Sequence, residues 1–183
     1  MLGKALHPFI MNIQTLFKDA VDVLQLKDVS IHSVAHDKSK MQNALLGLGI
    51  GAVASSLGFL LFPVHMGIIT YRPDLVSVLL TAVGSGLTLL LSLSVLGFLA
   101  EKLFQSKLDT LGFVRVLATA SLVNVLSVIP SLGIVAGIWM LVVTVKVLTT
   151  ESKLQPLQIG ILLLLTLLVF AVLGFFGLGY GML

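Results

Sequence analysis

The stretch Val116–Val145, VLATASLVNVLSVIPSLGIVAGIWMLVVTV, carries no charged residue and is bounded by Arg115 and Lys146. It is too long for one ordinary membrane span and too short for two, because a crossing helix takes about 20 residues and a pair needs about 40 plus a turn. Pro130-Ser131, followed by Gly133, interrupts it near its middle. A single tilted helix would place Lys146 and Lys153 across the membrane from most other basic residues. A helical hairpin turning at Pro130 keeps them on the same side, with arms of about 113–129 and 132–150, and with Arg115 and Lys146 snorkelling to the inner interface. Whether this hairpin crosses completely or re-enters, the parity is unchanged.

On either side, apolar runs at about 44–62, 75–100 and 157–177 read as three further spans. Ten of the eleven Lys and Arg then fall on one side: Lys4, Lys18, Lys27, Lys38, Lys40, Lys102, Lys107, Arg115, Lys146 and Lys153. Only Arg72, in the loop with Pro63, His65, Tyr71, Pro73 and Asp74, falls opposite. Basic flanks are retained on the cytoplasmic side during insertion, which gives N-terminus in, C-terminus out and an odd number of crossings. Phe175, Phe176 and Tyr180 are then expected at outer headgroup depth, and Trp139 lies mid-span, outside that belt.

With 57% hydrophobic and 10% charged residues and a mean hydropathy of +1.12, the expected class is an all-α integral membrane protein. The expected architecture is a five-span helical bundle with a middle helical hairpin and an N-terminal amphipathic helix. Residues 1–41 form the cytoplasmic helix and connector, and 42–183 the bundle. The net charge of +3 is explained by contact with anionic inner-face lipid, so no nucleic-acid partner is expected. There is no cysteine, which removes disulfides, thiolate nucleophiles and Cys-ligated metals. Met1–Lys40 shows neither a signal-peptide core with a cleavage site nor the second-position glycine of myristoylation.

From Lys4 to Leu24, Leu6, Phe9, Ile13, Leu16, Phe17, Ala20 and Leu24 recur at helical spacing, so a helix docked beneath the bundle is expected. Gln25 to Met41 lacks a sustained period and reads as a partly extended connector. His32, His36 and Asp37 fit one helical turn, but two histidines without a third ligand read as solvated connector, so no metal is expected. No HExxH or GxSxG motif and no Asp or Glu inside a span is present, so neither a catalytic residue nor a cofactor is assigned.

The remaining signal lies in small and weakly polar residues. Ser77, Thr81, Ser85, Thr88 and Ser92 repeat every three or four positions in the second span, and Gly47, Gly51 and Ser55 every four in the first. Ser121, Asn124 and Ser127 continue the pattern in the third, where Asn124 is expected to find an interhelical hydrogen bond. Such stripes read as helix-packing seams, with a solute path as the sharper alternative. Glu101, Lys102, Arg115 and Lys146 read as inner-interface charges, with an Arg115 pair to Glu101 or Asp109 within reach.

Leu99-Ala100-Glu101-Lys102-Leu103-Phe104 and Gly112-Phe113-Val114-Arg115-Val116-Leu117-Ala118-Thr119-Ala120-Ser121-Leu122 resemble a passage of the Yip (Ypt/Rab-interacting protein) family, from a charged loop into a third span of the type F-x-x-V-L-x-Y-A-S-x-P. The Ile129-Pro130 turn and the Ile138-Trp139 pair also fit, while Thr119 stands in place of the pattern's Tyr and Val123 in place of its Pro. The resemblance, over about 75–177, implies a non-enzymatic membrane scaffold or trafficking-type factor, here of a prokaryotic inner membrane. Its partners would be lipids, a second copy or other membrane proteins. The N-terminal part lacks the longer tail of eukaryotic members, so GTPase binding is not carried over. A small transporter or channel, and an accessory subunit of a larger membrane complex, are the alternatives.

Overall fold

A computed structural model describes residues 2–62, 64–66, 69–71 and 73–175. Arg72, Phe176 and Tyr180, which enter the orientation and aromatic-belt expectations, lie outside the described residues. Helices α1 (Leu2–Leu24), α2 (Asp28–His36) and α3 (Met41–Leu61) are followed by a hairpin of β1 (Val64–Met66) and β2 (Ile69–Tyr71), a small departure from an all-helical chain. Then come α4 (Leu75–Phe104), α5 (Thr110–Ala120), a 3-10 segment Ser121–Val128, α6 (Pro130–Thr150) and α7 (Pro156–Phe175).

Helix starts follow side-chain caps. The Asp74 carboxylate accepts from the Ser77 N–H at 2.7 Å and so opens α4, and Asp109 accepts from the Gly112 N–H at 3.1 Å to open α5. Pro130 occupies the first turn of α6, where its missing N–H costs nothing, and Ile129 before it is extended, as a residue preceding proline must be. The hairpin turn therefore sits where the sequence places it.

The core centres on α5, whose residues Gly112 to Ala120 are all buried beneath α1, α2, α3, α4 and α6. The C-terminal half of α1 docks through Leu16, Ala20 and Val23, each fully buried, and its last carbonyl, on Leu24, accepts from Trp139 Nε1 at 3.0 Å. Trp139 thus ties α6 to α1. By contrast, α4, α6 and α7 turn large apolar side chains outward, among them Leu80, Val83, Ile134, Ile138, Leu164 and Leu167.

Among the described residues, three helices are long and apolar enough to cross a membrane: Leu75–Phe104, Thr110–Val128 and Pro130–Thr150. The second gains reach from its change of pitch. Its 11 α-helical residues rise about 1.5 Å each and its eight 3-10 residues about 2.0 Å each, about 32 Å in all against about 28 Å for an uninterrupted α-helix. The 21 residues of α6 reach about 31 Å.

The connector at 25–41 departs from the sequence expectation, since most of it is α2 and a 3-10 turn at Lys38–Lys40. A nine-residue helix is marginal alone, but Ile31, Val34 and Ala35 form one apolar face, fully buried against the bundle. Packing, rather than periodicity, makes this helix.

Gln105 closes α4 in the left-handed region, at φ 52°, and is exposed. A non-glycine residue there costs about 1 kcal/mol. Gln105→Gly is accordingly expected to raise the midpoint of thermal unfolding in detergent by a few degrees; an unchanged or lower midpoint would contradict the strain.

Candidate functional site

Two arrangements gather the side chains singled out in the sequence. The first is a seam between α3 and the third apolar helix. A methyl group at Gly47 would lie 3.3 Å from the Ala118 carbonyl oxygen, at Gly51 2.5 Å from that of Ser121, and at Gly58 2.8 Å from that of Ser127. Between them, Ser55 Oγ donates to the Gly51 carbonyl at 2.9 Å and to the Asn124 carbonyl at 3.2 Å. The small residues of α3 thus meet carbonyls spaced three apart on the neighbouring chain segment. Four α-helical residues advance about 6 Å, and so do three 3-10 residues, so the two repeats stay in step. Ser121, Asn124 and Ser127 line this seam with Gly47 and Gly51.

Asn124 behaves differently from the expectation. Its backbone carbonyl, not its carboxamide, makes the interhelical bond, and the half-buried carboxamide has no hydrogen-bond partner among the described residues. Ser121 is fully buried and donates to the Ala118 carbonyl at 2.6 Å.

The α4 stripe does not join the seam. Thr81 donates to the Ser77 carbonyl, Ser85 to that of Ala82, Thr88 to that of Gly84 and Ser92 to that of Thr88, all within α4. The buried face of α4 is instead Val78, Ala82, Gly86, Leu93, Leu96, Gly97 and Ala100, while a methyl at Gly84 would meet nothing within 4 Å. The intramolecular seam of α4 runs beside the hydroxyl stripe, because a Ser or Thr bonded back to its own helix gains little from burial.

The second arrangement is the charged end of the bundle, where α2 crosses the start of α5 and the end of α6. Arg115 is only 4% exposed, and it neither snorkels nor pairs with Glu101 or Asp109. Its Nε donates to the Val34 carbonyl at 3.3 Å and its terminal NH2 to the Ala35 carbonyl, so the guanidinium caps the last turn of α2. A cation there meets the negative end of the helix dipole. The close approach requires Gly112, where a methyl would lie 2.8 Å from the Ala35 oxygen.

At the other end of α2, Lys146 pairs with Asp28 at 2.8 Å. Glu101 accepts from Lys102 at 2.7 Å and from the Thr110 hydroxyl and N–H at 2.8 and 3.0 Å, which braces the loop between α4 and α5. A second loop contact runs from the Lys107 N–H to the Ser152 carbonyl at 3.3 Å. Half-buried Lys40 and Asp19 pair at 3.0 Å.

His32 and His36 do share one face of α2, but Asp37 is not their neighbour in chemistry. Its carboxylate accepts from the Ser39 hydroxyl at 2.6 Å and from the Ser39 N–H at 2.9 Å, which holds its pKa below the ordinary carboxylate value. The carboxylate that meets both imidazoles is Glu151, from the end of α6. The i, i+4 histidine spacing was visible in the sequence, whereas Glu151 lies more than a hundred residues away and gave no such signal.

The fold therefore defines a helical protein with several apolar helices, three of them, among the described residues, of membrane-crossing length. Comparison with protein-family models, with curated proteins and with solved structures finds no match to this chain.

Proposed function

We propose that the chain is a non-enzymatic scaffold or membrane-organising protein of the prokaryotic cytoplasmic membrane, similar in type to the Yip family, with five spans, an inner N-terminus and an outer C-terminus. The observation that carries this reading is the direction of the hydroxyls: along α4, Thr81, Ser85 and Ser92 donate to carbonyls of their own helix, whereas a polar path would need them turned toward another. Gly84 and its hydroxyl neighbours leave α4 an outward face of small side chains, over which a helix of a second copy or of another membrane protein can approach closely. The gathering of Lys102, Arg115 and Lys146 at one end with α1 and α2 supports the orientation.

Because the chain has no native cysteine, single cysteines at Ser131 and Gly181 report topology directly. Both are expected to react with an impermeant reagent from the outer side, and inner labelling at Gly181 would overturn the orientation. Purified protein in mild detergent is expected to run as an oligomer or with membrane partners. Monomers alone, together with unaltered membrane morphology on deletion, would remove the scaffold reading.

The unpartnered carboxamide of Asn124 favours a second reading, a small transporter or channel. That reading requires solute or ion flux in proteoliposomes that Asn124→Leu abolishes.

A further inference from the structure

We propose that His32, His36 and Glu151 form a binding site for a divalent transition-metal ion of the zinc class, which joins α2 to the end of α6. The site is independent of the scaffold reading. Its donors converge: His32 Nδ1 and His36 Nε2 lie 3.0 and 3.4 Å from the same oxygen, Glu151 Oε2. One ligand atom from each of the three residues lies within 4.8 Å of the others. Ligands about 2.1 Å from a tetrahedral zinc ion stand about 3.4 Å apart, so two of the three separations are already those of a coordination shell. The third closes by a modest turn of either imidazole. Both rings have room to turn, with side chains 66% and 50% exposed.

Charge points the same way. The Glu151 side chain is 11% exposed, and among the described residues no Lys or Arg pairs with it. Its hydrogen-bond partners are the two imidazoles, so no Lys or Arg answers the carboxylate's charge. A divalent cation would compensate it and use the same nitrogen and oxygen atoms. Two imidazoles and one carboxylate suit zinc and its transition-metal neighbours rather than magnesium or calcium, which favour oxygen-rich shells. The exposed side leaves at least one coordination position for water, the pattern of an open three-ligand site.

The helix that carries two of the ligands is tied down at both ends. The i, i+4 spacing on α2 sets the two rings side by side, their centroids 4.4 Å apart. Arg115 fixes one end of α2 to α5, and the Asp28–Lys146 pair fixes the other to α6. A bound ion would add a third tie, from the middle and end of α2 to the turn after α6.

The test uses the full chain, purified in detergent without a histidine tag, stripped with chelator and titrated with Zn2+, and with Co2+ as a spectroscopic probe. One Zn2+ per chain is expected to bind, with visible Co2+ bands of low coordination number. His36→Gln and Glu151→Gln are each expected to weaken binding at least tenfold. His32→Gln, at the most exposed of the three positions, serves where another variant fails to fold. Zn2+ should also slow proteolysis of residues 25–40 in the wild-type chain, and Mg2+ should not. Absence of saturable binding, affinity unchanged in the folded variants, or equal protection by Mg2+ would each overturn the site.

Discussion

Gly51→Val is expected to prevent the bundle from assembling: little folded protein should be recovered from membranes, and what remains should unfold at a much lower temperature. The cause is backbone contact. Even the first carbon of a side chain at Gly51 would lie 2.5 Å from the Ser121 carbonyl oxygen and 3.3 Å from its carbonyl carbon, and neither atom can rotate away as a flexible side-chain tip would. To accept valine, α3 must lift off the third apolar helix, losing the Ser55–Asn124 bond and the adjoining contacts at Gly47 and Gly58. Overpacking of a close-packed core costs about 1 to 3 kcal/mol where side chains can adjust, and a rigid backbone contact belongs at or beyond the top of that range. Gly49→Ala is the matched control. It lies two residues away on the same helix with nothing within 4 Å of an added methyl, so it should be neutral or slightly stabilising. Equal tolerance of the two substitutions would show that the seam does not exist.

Arg115→Met should release α2 while leaving the hairpin assembled. Methionine fills much of the volume and removes the cost of burying a charge, which works in favour of the variant. It also leaves the Val34 and Ala35 carbonyls without donors at a buried helix end, at about 1 to 3 kcal/mol each, and the favourable pairing of the cation with the helix dipole is lost as well. The losses exceed the gain, and α2 relieves them by undocking, since water can then satisfy both oxygens. Hydrogen exchange and limited proteolysis should therefore increase across residues 28–40 and change little across α5 and α6. Arg115→Lys keeps the charge but lacks the planar fork, so it should fall between the two. Unchanged protection of residues 28–36 in Arg115→Met would refute the capping role.

These two positions also mark how far the sequence could be read. Gly51 was legible as part of a small-residue face, because a repeat every four residues is a property of one helix. Its partner was not, since the carbonyls of Ser121, Asn124 and Ser127 are backbone groups that every residue carries. The spacing of three that aligns them reflects a change of helical pitch without a residue-type signature. Arg115 is legible as a charge beside a hydrophobic run, whose ordinary behaviour is to snorkel. Its burial depends on α2, a helix too short to announce itself by periodicity. The hairpin turn was plain because Pro130 imposes it chemically. The α4 stripe was plain as a pattern and misleading as a seam within the chain, because hydroxyl groups can satisfy themselves on their own helix.

The 3-10 segment has a mechanical consequence. Each residue in it advances about 0.5 Å further and turns about 20° further than an α-helical residue would. If its eight residues relaxed to α-helix, the span would shorten by about 4 Å and Pro130 would swing through nearly half a revolution, carrying α6 with it. The contacts of Gly51, Ser55 and Gly58 therefore act as a thread on a screw: by holding three carbonyls at a fixed pitch, they set both the height and the compass bearing of the second half of the molecule.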